Sequence, residues 1–199
     1  VVGYSFFPSE LSGTAYKFLW NERGTILNAL GISVLVTGVG TVLGLFLTTT
    51  MGYVLSRPVF KLKGFYTWVV FIPMIFNGGM LASYVINTNL LRLSDTVWAL
   101  ILPLAVSSFN IIVCKSFFRS TIPDAIIESA KIDGAAQLRI FGQIVLPISK
   151  PVLATIALFL VFGYWNDWFQ SSLYITDSRL LSLQALPNNM MRNPGNIAN

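Results

Sequence analysis

The chain has 199 residues, of which 54% are hydrophobic and 14% aromatic but only 11% charged, with a mean hydropathy of +0.69. Soluble domains carry about 25% charge, so a water-covered surface of ordinary size is excluded. Histidine is absent and Cys114 is the single cysteine, which removes Ser/His/Asp chemistry, His-ligated metal sites and any intrachain disulfide.

Uncharged runs set the organisation. Between Arg23 and Arg57 lie 33 residues without a charge, between Lys63 and Arg92 lie 28, and between Asp95 and Lys115 lie 19. A fourth run, 151 to 166, is followed by the lone acid Asp167. A helix crosses the hydrocarbon core with about 20 apolar residues, so spans are predicted near 27 to 54, 65 to 87, 96 to 114 and 152 to 172. Buried helices of a large soluble protein would need polar faces that these runs lack.

In the first span, Gly40 and Gly44 form a Gly-x-x-x-Gly pair that lets helices approach closely in lipid. Its glycine run has the wrong spacing for a dinucleotide loop. The second span is interrupted by Pro73 with Asn77, Gly78 and Gly79, the third by Pro103 with Asn110. Such breaks either expose backbone groups to a transport cavity or are kinks satisfied by neighbouring helices. Cys114, at a span end, reads as plainly buried.

The 37-residue link from 115 to 151 is too apolar for a linker and too punctuated for a span. Pro123 suits a helix start, with Asp124 and Glu128 toward the positive end of its dipole. Ile126, Ile127 and Ala130 are expected on one face, and Asp124, Glu128 and Lys131 on the other. Gly134 ends that helix in a left-handed conformation, and residues 135 to 145 form a second helix before Pro147. The product is a helix, a bend and a helix, shaped for docking.

In the fourth span Asp167 is a charge costing about 2.5 to 3.5 kcal/mol in hydrocarbon, so it should face another subunit or a watery cavity. With Trp165, Asn166, Asn77 and Asn110 it makes up the candidate substrate path. For Asn166 and Asp167, tying helices together or bracing a partner is the stronger of the two expectations.

Orientation follows from the loops. Arg57, Lys61 and Lys63 crowd the first link, and Lys115, Arg119, Lys131, Arg139 and Lys150 the third. The remaining five of the thirteen basic residues are spread over the other segments. The links 56 to 64 and 115 to 151 are therefore expected in the cytoplasm, with 1 to 26 and 173 to 199 outside and 27 to 172 as the membrane domain. The basic excess is a topology signal, and nucleic acid drops out as a partner. The sequence is expected to lack pieces at both ends, including a last span.

Glu128-Ser129-Ala130-Lys131-Ile132-Asp133-Gly134-Ala135, followed after eight residues by Ile144-Val145-Leu146-Pro147, resembles the EAA motif of permease subunits of bacterial ABC importers, departing from it at Ser129. Tyr53-Val54-Leu55-Ser56-Arg57, Phe117-Phe118, Ile122-Pro123 and Trp165-Asn166-Asp167 resemble the carbohydrate branch, which includes the smaller maltose permease subunit. Asn77-Gly78-Gly79-Met80 and Leu91-Arg92-Leu93-Ser94 are similar to its oligosaccharide and polysaccharide sub-branch.

The resemblance implies an all-α integral membrane protein of the type I importer permease (MetI-like) fold, with about six spans in a complete subunit. It implies a multi-pass place in the bacterial plasma membrane, in lipid. It also implies a second permease, two ATP-binding subunits that hold ATP and Mg, and an extracellular or periplasmic solute-binding protein. Glu128, Ser129, Ala130, Asp133, Gly134 and Ala135 would couple to the ATPases. No cofactor or metal is expected on this chain, and it lacks the Gly-x-x-x-x-Gly-Lys-Ser/Thr phosphate loop of an ATPase.

The competing expectations are an ABC importer for a non-sugar solute, and a secondary transporter. The latter needs ionisable residues within spans, where only Asp167 qualifies. A membrane enzyme is weaker still, since no two carboxylates or nucleophile share a membrane face.

Overall fold

The computed structural model describes residues 20 to 192, so the expected outer segments 1 to 26 and 173 to 199 fall partly outside the described residues. Among the described residues the architecture is helical, without a strand. One helix is long and apolar enough to cross a membrane alone, and up to four spans result if each bent helix pair crosses as one.

Helix α1, Arg23–Ser56, runs unbroken for 34 residues, about 51 Å at 1.5 Å per residue. Ser33, Thr37, Gly40, Gly44, Thr48 and Gly52 are buried along it, and their spacing of three or four places them on one face. Against α1 pack α4 (Val97–Ala105), α5 (Ser108–Thr121) and α8 (Lys150–Trp165). A Cβ at Gly44 would lie 2.8 Å from the Ala105 carbonyl oxygen, one at Gly52 2.6 Å from the Cys114 Cβ, and one at Gly40 would strike the Tyr164 ring. The small residues are thus what let four helices share a core. Gly52 extends the stripe one step beyond the Gly40 and Gly44 pair, and Cys114 is buried against it. The Tyr164 hydroxyl donates to the Ile101 carbonyl at 2.7 Å, tying α8 to α4.

The second predicted span is not one straight helix. It comprises α2, Lys63–Ile75, and α3, Gly79–Leu90, whose axes bend by 119°. Gly79 takes φ +81°, and its N–H donates to Asn77 Oδ1 at 2.9 Å, so a side-chain turn and a left-handed glycine replace the helical ladder. The third predicted span bends by 47° between α4 and α5, after Pro103. It continues as helix to Thr121 rather than stopping near 114. Lys115 and Arg119 are compatible with helix, so the end of the uncharged run does not end it.

The fourth span stops at Trp165, short of 172. Asn166 Nδ2 turns back to donate to the Phe162 carbonyl at 2.9 Å, and the short helix α9, Phe169–Tyr174, follows.

Candidate functional site

Between α5 and α8 the chain forms α6, Asp124–Ile132, and α7, Gln137–Ile148, as the punctuation predicts. Gly134 has φ +77°. Its N–H reaches the Lys131 carbonyl at 3.0 Å, and the Ala135 N–H reaches the Ala130 carbonyl at 2.9 Å. These two bonds close a Schellman motif with glycine at the left-handed position. The second helix starts at Gln137, two residues later than expected, and runs through Pro147. A π turn at Phe141–Val145 widens the helix just ahead of that proline, where a ladder donor is missing.

The motif residues divide by side. Ala130 is buried and Ala135 half-buried against the core. Glu128, Ser129 and Asp133 are exposed. Ser129 Oγ donates to the Ile126 carbonyl at 3.0 Å, whereas Glu128 makes no ion pair among the described residues. Ile127 is buried as expected, but Ile126 is exposed, so the inward face of α6 is narrower than the sequence pattern indicates. On either side of the bend, Ile132 and Leu138 are 86% and 85% exposed, an unusual position for two large aliphatic residues.

Two side chains from the end of α1 hold this loop. The Arg57 guanidinium is buried. It donates to the Phe118 carbonyl at 2.8 Å, the Ile122 carbonyl at 3.4 Å and Asp124 Oδ1 at 2.9 Å. Asp124 is thereby an ion-pair partner as well as a residue at the start of α6. One turn earlier, the Tyr53 hydroxyl accepts from Gln137 Nε2 at 3.0 Å, and its ring packs 5.1 Å from Phe141 and 6.1 Å from Phe118. Arg57 thus pins the first arm and Tyr53 the second. Sequence reading assigns Arg57 to topology and misses this bracket. The available signal is Tyr53 and Arg57 at i, i+4 where an uncharged run ends.

A cleft of about 400 Å³ opens between these parts, with Tyr53, Arg57, Phe60, Ile127, Glu128 and Leu138 among its walls.

The candidate path residues lie on separate elements. Asn77 sits in the exposed corner between α2 and α3, and Asn110 is buried in α5. Trp165 and Asp167 are half-buried and Asn166 is exposed at the end of α8. The Asp167 carbonyl accepts from Ser182 Oγ at 3.3 Å and its Oδ1 from the Gln170 N–H at 3.4 Å.

At the end of the molecule away from the bend, Asp95 is the organiser that sequence reading overlooks. At φ +55°, it accepts from the N–H groups of Thr176 and Asp177, while its own N–H donates to the Tyr174 carbonyl at 3.1 Å. Asn28 on α1 joins by donating to the Arg179 carbonyl at 2.6 Å. The exposed Arg179 guanidinium, hydrogen-bonded to the Asp177 carboxylate, holds that carboxyl below its usual range.

Residues 40 to 196 match the family described as "Binding-protein-dependent transport system inner membrane component". Protein LplC of Bacillus subtilis (strain 168) is 43% identical over 181 residues, covering 91% of this chain and 60% of its own length. The polygalacturonan/rhamnogalacturonan transport system permease protein YtcP of the same strain is 41% identical over 179 residues, covering 90% and 62%. The chain therefore spans about three-fifths of these relatives. A crystal structure of a bacterial ABC transporter involved in the import of the acidic polysaccharide alginate matches with a TM-score of 0.83 at 26% identity, over 95% of this chain and 67% of that one.

Proposed function

The chain belongs to the family of binding-protein-dependent transport system inner membrane components, and from that premise we propose that it forms half of the pore of an ATP-driven carbohydrate importer. Its fold is that of an ABC importer permease. The proposed cargo is an oligosaccharide or a polysaccharide piece, a reading supported by the substrates named for YtcP and for the alginate transporter.

The observation that carries the coupling role is a pair of exposed carboxylates, Glu128 and Asp133, without an ion-pair partner among the described residues, presented on a helix pair bent at Gly134 and anchored by Arg57 and Tyr53. A cationic group on an ATP-binding subunit would pair with such a carboxylate, and Ile132 and Leu138 would enter an apolar recess between them. ATP and Mg reside on those subunits. Their closure on ATP moves the docked loop, and the anchoring side chains pass the displacement to α1 and so to the pore, biasing a two-state switch. A second permease and a solute-binding protein complete the machine.

In this reading the bend faces the cytoplasm. Of single cysteines at Lys63, Gln137 and Arg92, only the last should react with an impermeant thiol reagent added outside cells. Asn166 bonds back to its own helix, while Asp167 accepts from Gln170 in the next helix and from Ser182, fifteen residues on, which supports a bracing role over direct sugar contact.

The function is tested by measuring ATP hydrolysis of the purified complex with its binding protein loaded in turn with neutral and acidic oligosaccharides and with amino acids. Stimulation by saccharide alone supports the proposal. Stimulation by a non-sugar solute alone overturns its carbohydrate part.

A further inference from the structure

The start of α2 and the end of α5 lie side by side, and three basic residues gather where they meet. Lys63 and Thr67 are one turn apart on α2, and Lys115 and Arg119 one turn apart on α5, so each pair shares a helix face. Lys115 Nζ donates to Thr67 Oγ1 at 3.1 Å, which sets the two faces against each other and brings Lys63 toward Arg119. Half-buried Lys63 lies within Coulombic reach of Arg119, Lys115 and Arg57, with Asp124 the one opposing charge near it. Among the described residues none of Lys63, Lys115 and Arg119 has an ion-pair partner, because the nearby carboxylate of Asp124 is taken by Arg57. A polar cleft of about 150 Å³ lined by Ser56, Arg57, Pro58, Arg119 and Asp124 opens beside them.

Gathering like charges in this way is unfavourable unless an anion neutralises them. The neighbouring surface identifies the anion's source. Leu62, Phe65, Tyr66 and Trp68 are exposed around Lys63, and aromatic residues beside lysine mark the headgroup level of a bilayer. Basic pockets between helices at that level suit anionic lipid headgroups.

We propose that Lys63, Lys115 and Arg119 form a binding site for the phosphate of an anionic phospholipid in the leaflet that α2 and α5 enter. The lipid lies against the exposed aromatic start of α2 with its phosphate between the two helices. Because α5 leads directly into the Arg57-anchored loop, the site ties lipid composition to the same part of the molecule that docks the ATPases. The lipid site rests on the membrane reading alone, so it stands or falls independently of the imported solute.

The test uses the complete complex in detergent, with retention of phosphatidylglycerol and phosphatidylcholine compared by native mass spectrometry. The wild type should retain phosphatidylglycerol preferentially. Lys63→Gln with Arg119→Gln should lower that retention about thirtyfold and leave phosphatidylcholine unchanged, while Lys63→Arg with Arg119→Lys should keep it. Equal retention of both lipids by the wild type would overturn the proposal even if the glutamine variant fails to assemble. So would displacement of the lipid by an equal concentration of inorganic phosphate, or zero-length cross-linking of Lys63 to an acidic residue of an ATP-binding subunit.

Discussion

The chain contains two corners built on a left-handed glycine between two helices, and they are supported in opposite ways. At Gly134, with φ +77°, the arms are backed by buried Ile127, Ala130, Ile140 and Val145 and by the side chains of Arg57 and Tyr53. At Gly79, with φ +81°, α2 buries only Val70 and α3 buries nothing, although Tyr84 stacks on Tyr174 and Asn87 donates to its hydroxyl at 2.9 Å. Neither glycine is there for space, since a Cβ at either would meet nothing within 4 Å. The same backbone device therefore serves two mechanical ends. A corner backed by its own chain can transmit a push, whereas one left bare takes its shape from what surrounds it. In the function proposed above, those surroundings are lipid and the second permease.

The largest effect is expected from Arg57→Ala. It leaves the Phe118 and Ile122 carbonyls and the Asp124 carboxylate without their shared donor, at a cost of about 3 kcal/mol. Arg57→Lys should recover less than half of that, because an ammonium cannot reproduce the guanidinium fork. Thermal unfolding of the purified complex measures both.

Next come Gly134→Val and Gly79→Val, each forcing a β-branched residue into a left-handed conformation for about 1 to 3 kcal/mol. The local costs are alike, but the consequences should separate. Gly134→Val uncouples uptake from ATP hydrolysis or releases the ATPase subunits, as does Glu128→Lys, while Gly79→Val alters uptake and leaves saccharide-stimulated hydrolysis in place. Identical phenotypes would erase the distinction between the corners.

Tyr53→Phe keeps the ring contacts and loses only the bond from Gln137, about 1 kcal/mol, so its coupling defect should be milder than that of Arg57→Ala. The smallest change is expected for Asn77→Ala, which removes one exposed turn bond worth about 0.5 to 1 kcal/mol. Uptake compared across several saccharides, with Trp165→Ala alongside, shows whether the bare corner contributes to preference. Equal loss for every sugar with impaired assembly would make these residues structural.

The backed corner was legible in the sequence because its signals are local. Pro123, the Glu128 to Ala135 motif, Gly134 and Pro147 all act within a turn or two of where they stand. The Gly40 and Gly44 packing was legible for the same reason. What supports the corner was not, since Arg57 and Asp124 are 67 residues apart and a cation at a span end reads first as a topology signal. The role of Asp95 is illegible for the same reason, its partners lying 81 and 82 residues away. For the bare corner, Pro73 and Asn77-Gly78-Gly79 announced a break. Its angle of 119° depends on a backbone dihedral that residue types alone do not specify, so a continuous run of apolar residues gave the outline of one span.

The most direct test of the coupling role is chemical cross-linking from the bend. Ile132→Cys and Leu138→Cys place thiols on the most exposed apolar residues beside Gly134, and buried Cys114 does not compete for reagent. With a thiol-to-amine cross-linker on the assembled complex, both positions should join to an ATP-binding subunit, with a yield that changes when ATP is added, whereas Arg92→Cys should not. Cross-linking at Arg92→Cys with none at Ile132→Cys or Leu138→Cys would contradict the account.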